Sequence, residues 1–322
     1  MRILLTGSSG WLGRHLAIRL RECGHDVVGL DIAPGRDTSA VGSVADGGFV
    51  RRVIATNDIE AVIHAGALHK PDIARHSTQA FIDVNVTGTL NLLEAAADAG
   101  HERFIFTSTT SVMISRAIRD EVSDRAAWLD ERSGPLAPRN IYGVTKLAAE
   151  GLCRVHHAER GLNIIVLRTA RFFPEDDDTH RALSGENLKA NEFLNRRLTV
   201  ADAAEAHVAA LERATAIGFG IFIISAPPPF APEQAVALKR DAPAVLREIY
   251  PDVAQLYARR GWALPRSIGR VYDPGDAEAA LGFRCRTDFA AVLDAIRQGR
   301  PLPFEHDPAY VSPALSSART GA

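Results

Sequence analysis

Tyr142 and Lys146 stand four residues apart in the stretch IYGVTKLAAEGLCRVHHAER. If that stretch is helical, the spacing puts both side chains on one face. Such a pair is common on helices and carries no chemistry alone. Ahead of it, however, Thr107 to Ser111 places five hydroxyl residues in succession. A phenol titrates near ~10 and is a poor base at neutral pH. A neighbouring ammonium favours its ionised form, and a Ser or Thr hydroxyl can hold an alcohol oxygen in line. The set suits proton removal from an alcohol, provided that something else takes the hydride.

The start of the chain supplies a place for that acceptor. RILLTGSSGWLG, residues 2–13, joins an apolar run at Ile3, Leu4 and Leu5 to Gly7, Gly10 and Gly13. A short apolar run bounded by glycine reads as a buried parallel strand. Residues 14–23 follow with helical apolar spacing through Leu16, Ala17 and Leu20. A bare glycine turn opening a helix offers backbone N–H groups and a favourable dipole to a pyrophosphate. Trp11 and Leu12 lie at the helix start and belong to the same site. A second strand, 27–30, ends in Asp31, where an acidic residue accepts hydrogen bonds from an adenosine ribose. An oxidised nicotinamide near Tyr142 would take the hydride and, with Lys146, stabilise the phenolate.

The elements needed to hold these groups are legible as an alternation. Further strands are expected at 61–64, 104–107, 163–167 and 221–224. Helices are expected at 49–55, 78–85, 87–99, 142–160 and 199–214. Strands alternating with helices predict an α/β, Rossmann-type doubly wound parallel sheet. Ligands of such sheets sit beyond the carboxyl ends of the strands, where Gly7, Asp31, Gly66 and Ser108 all fall. Small residues Ala65, Gly66 and Ala67 let the backbone pass close to a cofactor, and Thr107 closes the neighbouring strand. Residues 33–46 and 116–140 read as loops, the latter over the site. Short helices are expected at 242–250, 253–259, 276–281 and 289–298. The expected division is a dinucleotide domain over 1–170, completed by about 197–225. A smaller C-terminal substrate lobe would take 171–196 and 226–300. The tail, 301–322, has little periodicity and is expected to wrap the surface or lack order.

Composition narrows the function. With 322 residues, 46% of them hydrophobic, the chain has ample material for a core. A net charge of -2 gives no basic field for nucleic acid. No apolar run reaches the roughly 20 residues of a membrane span. Cys23, Cys153 and Cys285 are scattered, without metal spacing, and suggest reduced thiols in the cytoplasm. The first strand begins at residue 2, so no signal peptide is expected. His64, His69, His156 and His157 lack ligand partners at suitable spacing and read as core or surface histidines. No metal is expected, and Phe172 and Phe173 read as packing.

Seven pieces in order resemble the extended short-chain dehydrogenase/reductases, specifically the NAD-dependent epimerase/dehydratase group. They are TGSSGWLG (6–13), VIHAGA (62–67), NVTGTLNLLEAA (85–96), FIFTSTTSV (104–112), YGVTK (142–146), VADAAEAHVAAL (200–211) and VYDPGDAEAALGF (271–283). The resemblance implies NAD, favoured over NADP by Asp31. It implies Ala65, Gly66 and Asn85 along the cofactor, Tyr142 as base with Lys146 as its partner, and Thr109 at the Ser/Thr position. It also implies a homodimer paired through the Tyr142 helix and the helix before it.

The expected activity is hydride transfer at a secondary alcohol of a sugar-like substrate, by an epimerase or a dehydrogenase of sugars or nucleotide sugars. Thr110 and Ser111 replace the Asp-Glu pair of sugar dehydratases, which disfavours dehydration. The interval 171–199 is short for a nucleotide-sugar enzyme, which opens the alternative of a smaller hydroxy acid or sugar acid. Arg171 replaces a usual Asn, and its planar fork suits a carboxylate or phosphate; an ion pair with Glu175 or Asp176 is equally compatible. Arg197, with Arg196, would meet a substrate phosphate or face water. A non-catalytic dinucleotide sensor is the reading from another class, opposed by the intact Tyr142 and Lys146.

Overall fold

The computed structural model describes residues 1–176 and 183–312. Nine strands form: β1 (Arg2–Thr6), β2 (Asp26–Asp31), β3 (Ala40–Val41), β4 (Ala61–His64), β5 (Arg103–Thr109), β6 (Ala127–Leu129), β7 (Asn163–Thr169), β8 (Phe219–Ile224) and β9 (Arg270–Tyr272) among the described residues. Seven make one sheet in the order β3-β2-β1-β4-β5-β7-β8, with every pair parallel. The apolar runs explain it. Ile3, Leu5, Ile63, Ile105 and Ile165 face one core, while Leu4, Val62, Phe104, Phe106 and Ile164 face the other. Side chains alternate along a strand, so a continuous run must bury both faces.

The helices are α1 (Trp11–Glu22), α2 (Gly47–Thr56), α3 (Thr78–Ile82), α4 (Gly88–Asp98), α5 (Arg116–Arg119), α6 (Ile141–Arg160), α7 (Gly185–Glu192), α8 (Val200–Ile217), α9 (Ala235–Ile249), α10 (Val253–Arg259), α11 (Gly275–Leu281) and α12 (Phe289–Arg297). Helices α2, α4 and α6 cover one face of the sheet. Helices α1 and α8 cover the other, and their core continues into α9–α12. The chain winds outward from β1 to β3, then returns to β4 on the other side of β1. This reversal opens a crevice between β1 and β4 at the carboxyl edge.

Several local readings need correction. The loop expected over 33–46 contains β3, which pairs with the end of β2. The loop expected over 116–140 contains α5 and β6, and β6 pairs in parallel with β9. Strands of two or three residues are too short to produce a pattern; their partners create them. The two helices expected at 78–85 and 87–99 are one run, α3 to α4, joined by a π-helical turn at Asp83–Thr87. The helix expected from 242 is the second half of α9, which bends at Asp241 (φ -152°, ψ 75°), two residues before Pro243. Proline has no N–H to continue the ladder, and the Asp241 carboxylate restarts it by accepting from Ala244 N at 3.1 Å. In the tail, residues 301–312 run over the surface, and the rest, 313–322, lies outside the described residues.

Candidate functional site

The glycine turn is shaped by close approach. Gly7 has φ +72°, and a Cβ there would lie 2.8 Å from the Gly66 backbone; at Gly13 it would lie 2.0 Å from the Gly7 carbonyl oxygen. β1, β4 and α1 converge here more tightly than any side chain permits. Gly10 precedes α1 without a side-chain cap, so the N–H groups at Trp11 and Leu12 keep no intrahelical acceptor. The Asp31 carboxylate, at the end of β2, accepts from Ser9 N and Ala33 N, both at 3.0 Å. Burial raises its pKa and these donors oppose the rise. Ser8 and Ser9 both bond Thr38, at 2.6 and 2.7 Å, which ties the next loop onto the turn.

Across the crevice, the small residues Ala65, Gly66 and Ala67 follow β4. His64 is a core residue as expected: it bonds Thr6 at 2.7 Å and Thr89 at 3.1 Å, and Thr6 accepts from Gly66 N at 3.0 Å. Asn85 sits on the π-helical turn and is buried. Its amide accepts from Leu68 N (2.8 Å) and donates to Leu68 O (3.0 Å) and Thr145 Oγ1 (3.1 Å). It therefore fixes the loop after β4 against α6. The Thr107 hydroxyl turns away from the crevice and bonds His207 of α8 at 2.8 Å; only its backbone faces the neighbouring strands.

Helix α6 begins where Asn140 accepts from Gly143 N at 2.9 Å, and ends at Gly161 with φ +70°. Its first turns carry Tyr142 and Lys146, 7% and 2% exposed. The Thr109 side chain, at the end of β5, lies near enough to the Tyr142 phenol to favour its ionised form, and the Thr109 hydroxyl accepts from Ser111 N at 3.1 Å. Burial pushes Tyr142 up to about 12, against the influence of Thr109. Burial pulls Lys146 down to about 7, partly offset by Cys153 and Glu150. The lysine ammonium lies 4.3 Å over the Phe106 ring. One turn further, Glu150 accepts both guanidinium arms of Arg168, at 3.0 and 2.7 Å, and the Ser108 hydroxyl at 2.6 Å. The face of α6 that carries Tyr142 and Lys146 is thus tied to β5 and β7. Thr109, Tyr142 and Lys146 come together at the carboxyl edge of the sheet.

A family model describing NAD-dependent epimerases and dehydratases matches residues 3–224. The chain belongs to the NAD-dependent epimerase/dehydratase family. UDP-glucose 4-epimerase 4 of Oryza sativa is 30% identical over 185 residues, 52% of this chain and 48% of that protein. A 3-beta-hydroxysteroid dehydrogenase of Mycolicibacterium neoaurum is 28% identical over 201 residues, 59% of this chain and 52% of the other. The chain thus spans about half the length of these curated relatives. Among solved structures, an NAD-bound short-chain dehydrogenase/reductase superfamily protein of Agrobacterium tumefaciens aligns with TM-score 0.64 at 23% identity, covering 93% of this chain and 98% of that one. UDP-glucose 4-epimerase of Thermotoga maritima, solved with UDP-glucose, gives 0.64 at 21% identity over 93% and 99%. These two likenesses are of fold.

NAD, the cofactor of this epimerase/dehydratase family, fits what the crevice offers. The uncapped start of α1 leaves donors for a diphosphate, and Asp31 keeps acceptor capacity for ribose hydroxyls. Among the described residues no cluster of three metal-ligating side chains occurs, and no helix is long and apolar enough to cross a membrane.

Two residues set aside on sequence grounds stand beside Tyr142. The His69 ring lies 5.8 Å from that of Tyr142 and 5.5 Å from that of Phe173. Burial, then the charge of Lys146, pulls His69 down to about 4, so its imidazole is neutral at pH 7. Phe173 stacks on Phe172 at 4.8 Å. No spacing rule links 69 to 142 or 173, which meet only through the fold. Of the two arginines expected at the substrate, Arg197 is 2% exposed; it bonds Glu192 at 2.8 Å and the Phe173 carbonyl at 2.6 Å. It is buried, not facing water. Arg171 is a third exposed and lies 3.6 Å from Glu192, and its backbone pairs with that of Arg197.

Proposed function

We propose that the chain removes a hydride from a secondary alcohol of a sugar-like substrate, with Tyr142 as base. The observation that carries this reading is that Tyr142, beside the Thr109 side chain, and Lys146 one turn along are gathered on one helix face at the carboxyl edge of the sheet. Thr109 holds the alcohol oxygen, and Tyr142 Oη takes the hydroxyl proton as the carbon–hydrogen bond breaks. The backbone N–H groups of Trp11 and Leu12 hold the diphosphate, and Asp31 holds the adenosine ribose. When bound, NAD accepts the hydride and sets a positive nicotinamide near the phenol.

That charge matters because of burial. In the protein alone the phenol titrates at about 12 and Lys146 at about 7, so the base is masked until positive charge is added beside it. His69 and Phe173, packed beside Tyr142, supply a wall for the substrate, with a neutral imidazole on it.

The UDP-glucose 4-epimerases among the relatives support a sugar or nucleotide-sugar substrate, and the hydroxysteroid dehydrogenase supports a secondary alcohol more generally. Arg171, partly exposed at the head of the short lobe loop, favours an anionic sugar or sugar acid as the second reading. Val144 and Val155, exposed on the outer side of α6, suit a homodimer through that helix. The unpaired cysteines suit the cytoplasm.

A panel of free sugars, sugar acids and nucleotide sugars, read by NADH absorbance and product NMR, tests the reading. Tyr142→Phe should lose turnover on the active substrate and keep NAD binding. Full activity in that variant would mean that another group is the base.

A further inference from the structure

The chain end crosses from the lobe to the glycine turn. On the lobe side, the Phe304 ring packs 5.4 Å from that of Phe193. The His306 imidazole meets Lys189 Nζ at 2.7 Å, and Lys189 reaches Asp176 at 3.3 Å. Asp307 N donates to the Pro174 carbonyl at 2.9 Å. Three residues on, Tyr310 has crossed to the other wall: its ring lies 5.1 Å from that of Trp11. The Arg14 guanidinium lies beside the pair, 5.5 Å from the Trp11 ring and 5.7 Å from that of Tyr310. Trp11 opens α1, and Pro174 belongs to the loop that begins at Arg171. The strap therefore ties the diphosphate end of the crevice to the substrate loop. Tyr310 also feels the charges of Arg14, Glu175 and Asp31, one from each side of the opening and one from the ribose position. The indole N–H of Trp11 is buried beneath it without an acceptor.

We propose that residues 304–310 are a cofactor-retaining strap, latched by Tyr310 onto Trp11 and Arg14, which must undock before NAD or NADH leaves. The inference rests on NAD occupying the glycine turn. It bears on the reaction's outcome. A net dehydrogenase must release NADH at every turnover, whereas an epimerase returns the same hydride to its oxidised intermediate and keeps the cofactor. A strap across the exit favours the second: the alcohol is oxidised, the ketone is reduced on its other face, and no redox equivalent leaves.

The test is the rate at which excess NAD displaces NADH from the full-length protein, followed by NADH fluorescence. Tyr310→Ala should release NADH at least about tenfold faster, through loss of the aromatic pair and the cation–π contact together. Tyr310→Phe, which keeps the ring, should stay within about threefold of the parent. On the unaltered protein, hydrogen exchange at the Asp307 and Tyr310 amides should slow when NADH is bound, a readout that needs no variant. Equal release rates in Tyr310→Ala and the parent, or exchange that ignores NADH, would overturn the strap while leaving the cofactor site intact. No NADH binding to the parent would overturn the cofactor reading and the strap with it.

Discussion

Two buried carboxylates divide the molecule's electrostatics. Glu150, on the catalytic helix, faces one arginine and one serine: Arg168 bidentately and Ser108 at 2.6 Å. Both charged side chains are at most 4% exposed, and the pair is closed and neutral. Glu192, in the lobe, faces three arginines: Arg197 at 2.8 Å, Arg196 at 3.1 Å and Arg171 at 3.6 Å. Burial pushes the Glu192 carboxyl up, but Arg171, Arg196 and Arg197 outweigh it and hold it below the usual range. The same chemical piece does two jobs. Around Glu150 it fixes a helix to strands so that Tyr142 meets Thr109. Around Glu192 it draws three arginines from two segments, 171 and 196–197, onto one carboxylate and so ties the loop after β7 to the segment before α8.

The largest effect expected comes from Lys146, a buried charge on the same helix as Glu150. With a folded value of about 7 against 10.5 for the free side chain, the unfolded chain holds a proton that the folded chain has lost between those limits. Stability should therefore rise with pH from about 7 toward 10, and be lowest below 7. At 1.36 kcal/mol per unit, the full span is about 4 to 5 kcal/mol. Lys146→Met should be more stable than the cofactor-free parent below pH 7 and lose that advantage as pH rises. Urea titrations at pH 6 and pH 9 measure it, and a pH-independent difference would mean that the ammonium is not desolvated.

Glu150→Ala leaves the Arg168 charge buried and unpaired, which costs about 3–5 kcal/mol, and it frees α6 to drift. A lower denaturation midpoint with a fall in kcat is expected. The double change Glu150→Leu with Arg168→Met should recover much of the stability but not kcat, which separates holding the fold from holding the site.

In the lobe the matching change is milder. Glu192→Gln keeps a hydrogen-bonding group, and Arg171 can turn to water, so a loss of about 1.5–3 kcal/mol is expected. The added positive charge should tighten an anionic substrate. A loss equal to that of Glu150→Ala would erase the contrast between the two clusters.

The smallest effect is that of Arg171→Lys. It keeps the charge but not the fork, and should weaken an anionic substrate by about 1 kcal/mol, one hydrogen bond. NAD affinity should stay unchanged. Lower thermal stability with unaltered substrate kinetics would assign Arg171 to the ion cluster alone.

The parallel sheet and its helices were legible from sequence and the segments beyond β7 far less so, for physical reasons. β1, β4, β5 and β7 are buried on both faces and must be written as apolar runs; α6 advertises itself by periodicity and by Asn140 and Gly161 at its ends. Thr109, Tyr142 and Lys146 lie on those strong elements. β6 and β9 exist only because each finds the other across distant sequence. His69 and Phe173 meet Tyr142 from two loops, and the three arginines around Glu192 come from two segments that periodicity does not link. Tyr310 sits in a stretch without any period at all.

The β6–β9 ribbon has a consequence for biosynthesis. β6 lies between Thr109 and Tyr142, yet its partner, Arg270–Tyr272, follows every strand of the main sheet. A chain emerging from the ribosome folds N-terminal portions first, so the sheet can close through β8 while the segment joining the two catalytic residues still lacks its partner. The stretch between Thr109 and Tyr142 is thus the last of that half to be tied down, onto a frame that β5, β7 and the Glu150–Arg168 pair already hold.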